Sequence, residues 1–71
     1  MKYDIKMLDV VALLEDMRDR GLVTGQVGTV VEILDDGVFE VEFCDNDGRT
    51  YDTLALRGDQ LMDLHYSPVA A

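Results

Sequence analysis

The stretch GLVTGQVGTVVEILDDGVFEVEF, residues 21–43, decides the fold. Apolar side chains recur at every second position over residues 27–34 and 38–44, and a period of two predicts a strand in each range. Asp35-Asp36-Gly37 between them predicts a tight hairpin turn with Gly37 in the left-handed conformation, and Asp36-Gly37 as its central pair would make it a primed turn. The glycines at 21, 25 and 28 permit a sharp bend or a close approach of two backbones.

The second strand of this hairpin shows the clearest alternation. Phe39, Val41 and Phe43 share one face, which predicts that they belong to the core, whereas Glu40 and Glu42 point outward.

Glu32 lies in the first strand of the same hairpin, and we interpret it as outward-facing too. Alternation alone puts it on the strand face that also carries Gly28 and Val30. Because facing side chains of neighbouring strands stand about 5 Å apart, Glu32, Glu40 and Glu42 form a candidate partner-binding surface.

Further short strands follow the hairpin. Residues 45–48, Asp-Asn-Asp-Gly, predict a second turn, and residues 50–56 predict a strand with Leu54 and Leu56 inward. A short turn over residues 57–60, with one 3₁₀ step, leads to Leu61, Met62 and Leu64, which close the sheet. Short strands, tight turns and well-placed glycines predict a partly open five-stranded barrel.

The segment MLDVVALLEDM, residues 7–17, fits two structures. A helical stripe would contain Met7, Val10, Val11, Leu14 and Met17. A strand would place positions 8, 10, 12 and 14 on one face and positions 11 and 13 on the other. Periodicity and helix propensity slightly favour the helix.

Length and composition limit the protein to one class of small domain. The 71 residues suffice for a single domain, with a core over about residues 7–64 and frayed termini, including a polar lead-in over residues 1–6. The single cysteine excludes an intramolecular disulfide, and a lone thiol without a secretory leader predicts a cytoplasmic protein. No apolar run is long enough to span a membrane.

The charge balance is the main functional indication. Six basic residues against fifteen acidic ones give a net charge of −9. Nucleic acids and anionic membrane surfaces are bound by clustered Lys and Arg, which this chain lacks, so neither is an expected partner. A basic protein is the favoured partner. Alternatively, the acidic residues serve only solubility.

No motif predicts a metal, cofactor or catalytic site. Asp45, Asp47 and Gly48 resemble part of a calcium loop, but its first and last ligand positions would fall on Phe43 and Leu54, which cannot bind a cation. One cysteine and one histidine cannot build a structural zinc site. We expect Cys44 to be at least half-buried and His65 to be solvated.

The serine and three of the arginines give no indication of a catalytic or binding role. The single serine, at position 67, lies in the tail, and the carboxylates fall mostly in turns or on outward strand positions, so we predict that the protein is not an enzyme. Arg18, Arg20 and Arg57 neighbour Asp16, Asp19 and Asp59 in the sequence, and exposed pairs of this kind contribute little stability.

Four segments together resemble a family of small uncharacterised bacterial proteins that is known only as a domain of unknown function. They are DVVALLED at 9–16, GLVTGQVGTVVE at 21–32, VEFCDNDGRT at 41–50 and LxLxxxQL at 54–61. The resemblance covers about residues 7–64. It implies a small barrel similar to Src-homology-3 domains, in which residues 8–15 are the first strand rather than a helix. GxVGxVV is also similar to the KOW motif of basic nucleic-acid-binding barrels.

These observations favour an all-β, SH3-like, partly open five-stranded barrel that acts as a non-catalytic protein-interaction module. A more specific form is an acidic partner that neutralises a basic protein, as an antitoxin or immunity component does. The alternative is a structural or accessory barrel that self-associates into a homo-oligomer. A KOW-like nucleic-acid-binding module is the third interpretation.

Overall fold

The chain forms five antiparallel strands in one open sheet. A computed structural model describes residues 4–68. The strands are β1 (Val10–Leu13), β2 (Val27–Asp35), β3 (Val38–Cys44), β4 (Thr50–Arg57) and β5 (Leu61–Asp63), in the spatial order β4-β3-β2-β1-β5. Two 3₁₀ turns, Arg18–Arg20 and Gly58–Gln60, complete the structure, and residues 4–68 contain no α-helix. The predicted all-β class is therefore confirmed, with a sheet that is not closed into a barrel.

The helix favoured by periodicity over residues 7–17 is wrong. Residues 10–13 of this segment form β1, which pairs with β2 on one side and with β5 on the other. Val11 and Leu13 are buried beneath the sheet, and Val10 and Ala12 face outward. Pairing on both edges satisfies the backbone and buries this face, which outweighs a small difference in helix propensity.

The core lies on the inner face of the curved sheet. Phe39, Val41 and Phe43 are buried as predicted, and Leu56 joins them from β4 with Leu54 partly buried beside it. The other buried apolar side chains come from the N-terminal half and from β5: Ile5, Val11, Leu13, Leu22, Val30 and Leu61.

At Gly28, the backbone of β2 lies close to the side chains of β3. A Cβ atom at this position would lie 2.6 Å from Val41 Cγ1 and 3.0 Å from the ring of Phe43. Real Cβ atoms do not approach other atoms this closely, so the core packing requires glycine here.

An irregularity in β2 changes which way Glu32 points. Val30 pairs with Val41, whereas Glu32 pairs with Glu40, so Val31 is an extra residue on the β2 side of the ladder. An extra residue reverses the alternation beyond it. The prediction that Glu32 shares a face with Val30 is therefore wrong, and its outward position results from the bulge.

The turn between β2 and β3 has the expected glycine but a different type. Gly37 has φ +76°, as predicted for a left-handed position. Leu8 is the only non-glycine residue with positive φ in the described range, so φ at Asp36 is negative. A primed hairpin turn needs a positive φ at its first central residue, so this turn is unprimed.

Two further expectations about single residues are wrong. Ile5, which we placed in a frayed lead-in, is only 7% exposed and belongs to the core. Cys44, which we expected to be at least half-buried, is exposed because it follows the buried Phe43 on the alternating strand. Residues 1–3 of the lead-in and residues 69–71 of the tail lie outside the described residues.

The outer edge of β4 is partly blocked by its own side chains. The N–H group of Thr53 donates to Asp52 Oδ1 at 2.9 Å, and the N–H group of Arg57 donates to Gln60 Oε1 at 2.8 Å. Neither N–H group is then free to pair with an additional strand. Such occupied groups protect a sheet edge against adding another chain.

No helix among residues 4–68 has the length and apolar character to cross a lipid bilayer.

Candidate protein-binding surface

The three glutamates singled out from the sequence lie together on the outer side of the β2–β3 hairpin. Glu32 faces Glu40 directly across the two strands, and Glu42 lies two residues from Glu40 on the same face of β3. Glu32 is exposed, whereas Glu40 and Glu42 are half-buried rather than fully exposed. We call Glu32, Glu40 and Glu42 the acidic face.

No cation of the described chain neutralises the acidic face. Its ion pairs within residues 4–68 join Arg18 to Asp16, Arg20 to Asp52 and Arg57 to Asp59. Like charges directly opposite each other destabilise a sheet. A cation supplied from outside would therefore relieve a repulsion that the fold leaves in place.

The β4 strand leaves the acidic face open on one side. Ala55 faces Glu40 and Thr53 faces Glu42, and both residues are small and exposed. On the β4 side, the residues directly opposite Glu40 and Glu42 therefore have short side chains.

Arg20 forms an ion pair with a residue that is distant in the sequence. We expected its neighbour Asp19, but its guanidinium binds Asp52 with two hydrogen bonds, Nε to Oδ2 at 3.0 Å and Nη2 to Oδ1 at 2.6 Å. These bonds lower the pKa of Asp52 and raise that of Arg20. The contact joins the segment between β1 and β2 to β4, so it is structural.

Asp16 holds the same segment from its other end. Its Oδ1 accepts hydrogen bonds from the N–H group of Thr24 at 2.9 Å and from the Thr24 hydroxyl at 3.0 Å. These two bonds, the backbone one first, lower the pKa of Asp16. This carboxylate therefore also stabilises the fold and is not part of the acidic face.

A second pair of carboxylates, which the sequence did not suggest, lies where β1 meets β5. Burial raises the pKa of Asp63, and the charge of Asp9 and a side-chain hydrogen bond with Asp9 raise it further. The positive charges of the nearby His65 and Lys6 lower it, but by less. Asp63 Oδ1 is buried without a hydrogen-bond partner in the described residues. Burial and the neighbouring carboxylate thus both favour the protonated form of Asp63.

The turn at residues 45–48 uses its first aspartate to hold its own backbone. Asp45 Oδ1 accepts from the N–H groups of Asp47 at 2.9 Å and Arg49 at 3.0 Å. This arrangement is a side-chain-capped turn. Residues 4–68 contain no group of three or more His, Cys, Asp or Glu side chains placed to hold a metal ion.

One comparison with known proteins identifies the family of this chain. The family model described as a domain of unknown function (DUF4926) matches residues 7–63. The chain belongs to this family. The match spans all five strands and confirms the resemblance drawn from the sequence segments. No curated protein and no solved structure matches the chain. In this DUF4926 domain, the acidic face lies wholly within the matched residues.

Proposed function

We propose that this DUF4926 domain is a non-catalytic protein-interaction module whose acidic face binds a basic partner protein. The observation that carries the proposal is the Glu32–Glu40 pair, in which two carboxylates face each other and form no ion pair with any cation of residues 4–68. In its more specific form, the domain covers a basic surface and so neutralises the partner, as an antitoxin or immunity component does.

The physical chemistry of the acidic face supports association with a cationic surface. Three neighbouring carboxylates add to the field of a domain with a net charge of −9. Such a field attracts a basic partner over several ångströms and raises the association rate constant, which then falls as salt increases.

The exposed, free thiol of Cys44 supports a cytoplasmic location. In an oxidising compartment, an exposed lone cysteine is prone to form disulfides with other molecules, whereas a reducing compartment keeps it as a thiol.

A capture experiment from the native host tests the proposal. The wild-type domain is compared with the double variant Glu40→Lys/Glu42→Lys and with the control Asp19→Lys/Asp47→Lys. The control makes the same change in net charge at exposed carboxylates that accept no hydrogen bond in the described structure. We expect the control to retain a basic partner and the acidic-face variant to lose it, with both variants folded by thermal melting.

Equal capture of the same basic partner by both double variants would refute a role for the acidic face. Self-association is the competing interpretation. It would appear in sedimentation of the wild-type domain as a dimer or higher oligomer without any partner protein.

A further inference from the structure

The outer face of β1 carries an apolar hollow. Ala12 pairs with Val27 of β2 on one side and with Met62 of β5 on the other. Leu14 continues the same face, because its N–H group donates to the Gln60 carbonyl oxygen at 2.9 Å and extends the pairing with β5. We call the group Ala12, Leu14, Val27 and Met62 the Ala12 hollow.

The large side chains around Ala12 are open to solvent. Leu14 is 43% exposed, Val27 is 49% exposed and Met62 is 51% exposed. They lie on the face of β1 opposite to Val11 and Leu13, which are buried in the core. The hollow is therefore not needed to complete the domain's own core, and its exposure leaves apolar area for a partner to bury.

The hollow has the width of one side chain. Neighbouring strands lie about 4.8 Å apart, so the β2 and β5 backbones on either side of β1 are roughly 10 Å apart. The small methyl group of Ala12 lies between the longer side chains of Val27 and Met62. This arrangement fits one large apolar side chain of a partner, seated over Ala12.

The hollow is continuous with the acidic face. Thr29 pairs with Val10 of β1 and with Glu42 of β3, so one cross-strand row leads from β1 to the glutamates. Two strand spacings across the sheet and two residues along a strand place Glu42 about 12 Å from Ala12. One short segment of a partner can therefore contact both features.

Charge decides which occupant fits. A second copy of the domain would bring its own acidic face next to the first, and each copy has a net charge of −9. Anionic lipid headgroups would be repelled in the same way. A segment that combines an apolar anchor with lysine or arginine complements both parts of the surface.

We propose that the Ala12 hollow receives one large apolar side chain of the basic partner, while basic residues of the same segment bind Glu40 and Glu42. This inference rests on the proposed function for the identity of the partner as a basic protein. It adds the recognition element: an apolar anchor about 12 Å from the nearer of two cations, the one that binds Glu42.

Synthetic peptides test this pairing directly. The probe is an extended peptide with a phenylalanine four residues from a Lys-x-Lys pair, a separation of roughly 13 Å. Two matched peptides replace the phenylalanine by serine or both lysines by glutamine. Binding of each peptide is followed by amide chemical shifts of the isotope-labelled domain.

We expect the complete peptide to bind about tenfold more tightly than the serine peptide, as one buried aromatic side chain allows. Its shifts should include the amides of residues 12, 27 and 62. Met62→Gln and Ala12→Leu should remove the tenfold advantage, whereas the control Val23→Gln, at a residue 56% exposed and outside the hollow, should keep it. Glu40→Lys/Glu42→Lys should weaken the complete and serine peptides alike.

Each contrary result identifies the failing step. Equal affinity for the phenylalanine and serine peptides, with both lost in Glu40→Lys/Glu42→Lys, would overturn the hollow and leave the proposed function standing. Affinity unchanged by Glu40→Lys/Glu42→Lys would count against the acidic face itself. Dimerisation of the wild-type domain that Met62→Gln abolishes would overturn the inference by identifying a second copy as the occupant.

Discussion

Glu32 and Glu40 face each other across β2 and β3 because Val31 is an extra residue in β2. Without that bulge, Glu32 would share the inward face of Val30. The bulge thus builds the acidic face by reversing the alternation, at the cost of placing two like charges opposite each other. The proposed role in binding rests on this repulsion, which the fold keeps on the outer face of the sheet.

Replacing one glutamate of this pair should stabilise the free domain. In Glu32→Lys an attractive pair replaces a repulsive one, and we expect an increase of about 0.2–1 kcal/mol in the free energy of unfolding. Thermal melts at low and high salt measure it, and the gain should shrink with salt. The control Asp47→Lys makes the same charge change in a turn. An equal gain in both variants would show that net charge, not the facing pair, is responsible.

Gly28 should not tolerate a side chain. A Cβ atom there would lie 2.6 Å from Val41 Cγ1, so Gly28→Ala should cost about 1–3 kcal/mol by overpacking. Denaturant unfolding measures the loss. The double variant Gly28→Ala/Val41→Ala should lose less than the sum of the single variants, because it removes the clashing methyl group. Strict additivity would contradict a direct contact between the two positions.

The left-handed conformation at Gly37 predicts which substitutions at this position destabilise the domain most. Gly37→Val should lower the melting temperature by several degrees, since a β-branched residue at φ +76° is strained by about 1–3 kcal/mol. Gly37→Asn should be much milder, because asparagine tolerates this region. Equal effects of the two substitutions would contradict backbone strain as the cause.

Asp63 predicts a pH-dependent stability. Its pKa in the folded state is raised above 3.8. At a pH between these two pKa values, the folded domain therefore keeps a proton that the unfolded chain has lost. Stability therefore falls as pH rises from about 3.8 to the folded-state pKa, and the full penalty remains at neutral pH. Besides burial, the charge of Asp9 raises this pKa, and the charges of His65 and Lys6 lower it.

Asp63→Asn removes the ionisation and should raise the melting temperature at neutral pH. The gain should vanish in acid, where Asp63 is protonated in both states. Melts of both proteins across pH measure the difference, with Asp47→Asn as the control for the same charge change at an exposed turn. A gain that is constant with pH would contradict the linkage.

The strands with long, regular alternation could be predicted from the sequence. Phe39, Val41 and Phe43 alternate with glutamates over a full strand, which only a half-buried strand explains. The VVALL run at residues 10–14 could not be assigned by pattern, because a short apolar run fits both a helix and a strand, and propensity slightly favours the helix, which is the wrong one. Its pairing on both edges with β2 and β5 decided the outcome.

The parts of the surface that depend on three-dimensional contact could not be predicted. The bulge at Val31 is a change of hydrogen-bond register, and the two adjacent valines at residues 30–31 also fit a strand without a bulge. Arg20 pairs with Asp52, 32 positions away, rather than with the adjacent Asp19. The Ala12 hollow likewise exists only because β2 and β5 flank β1.

The association rate constant of the captured basic partner, measured against salt, tests the central claim most directly. The wild-type domain and the control Asp19→Lys/Asp47→Lys should both associate rapidly at low salt, with rates that fall steeply as salt rises. Glu40→Lys/Glu42→Lys should associate at least about tenfold more slowly at low salt and show little salt dependence. If both double variants slow association equally, the acidic face is not the binding surface and the account is wrong.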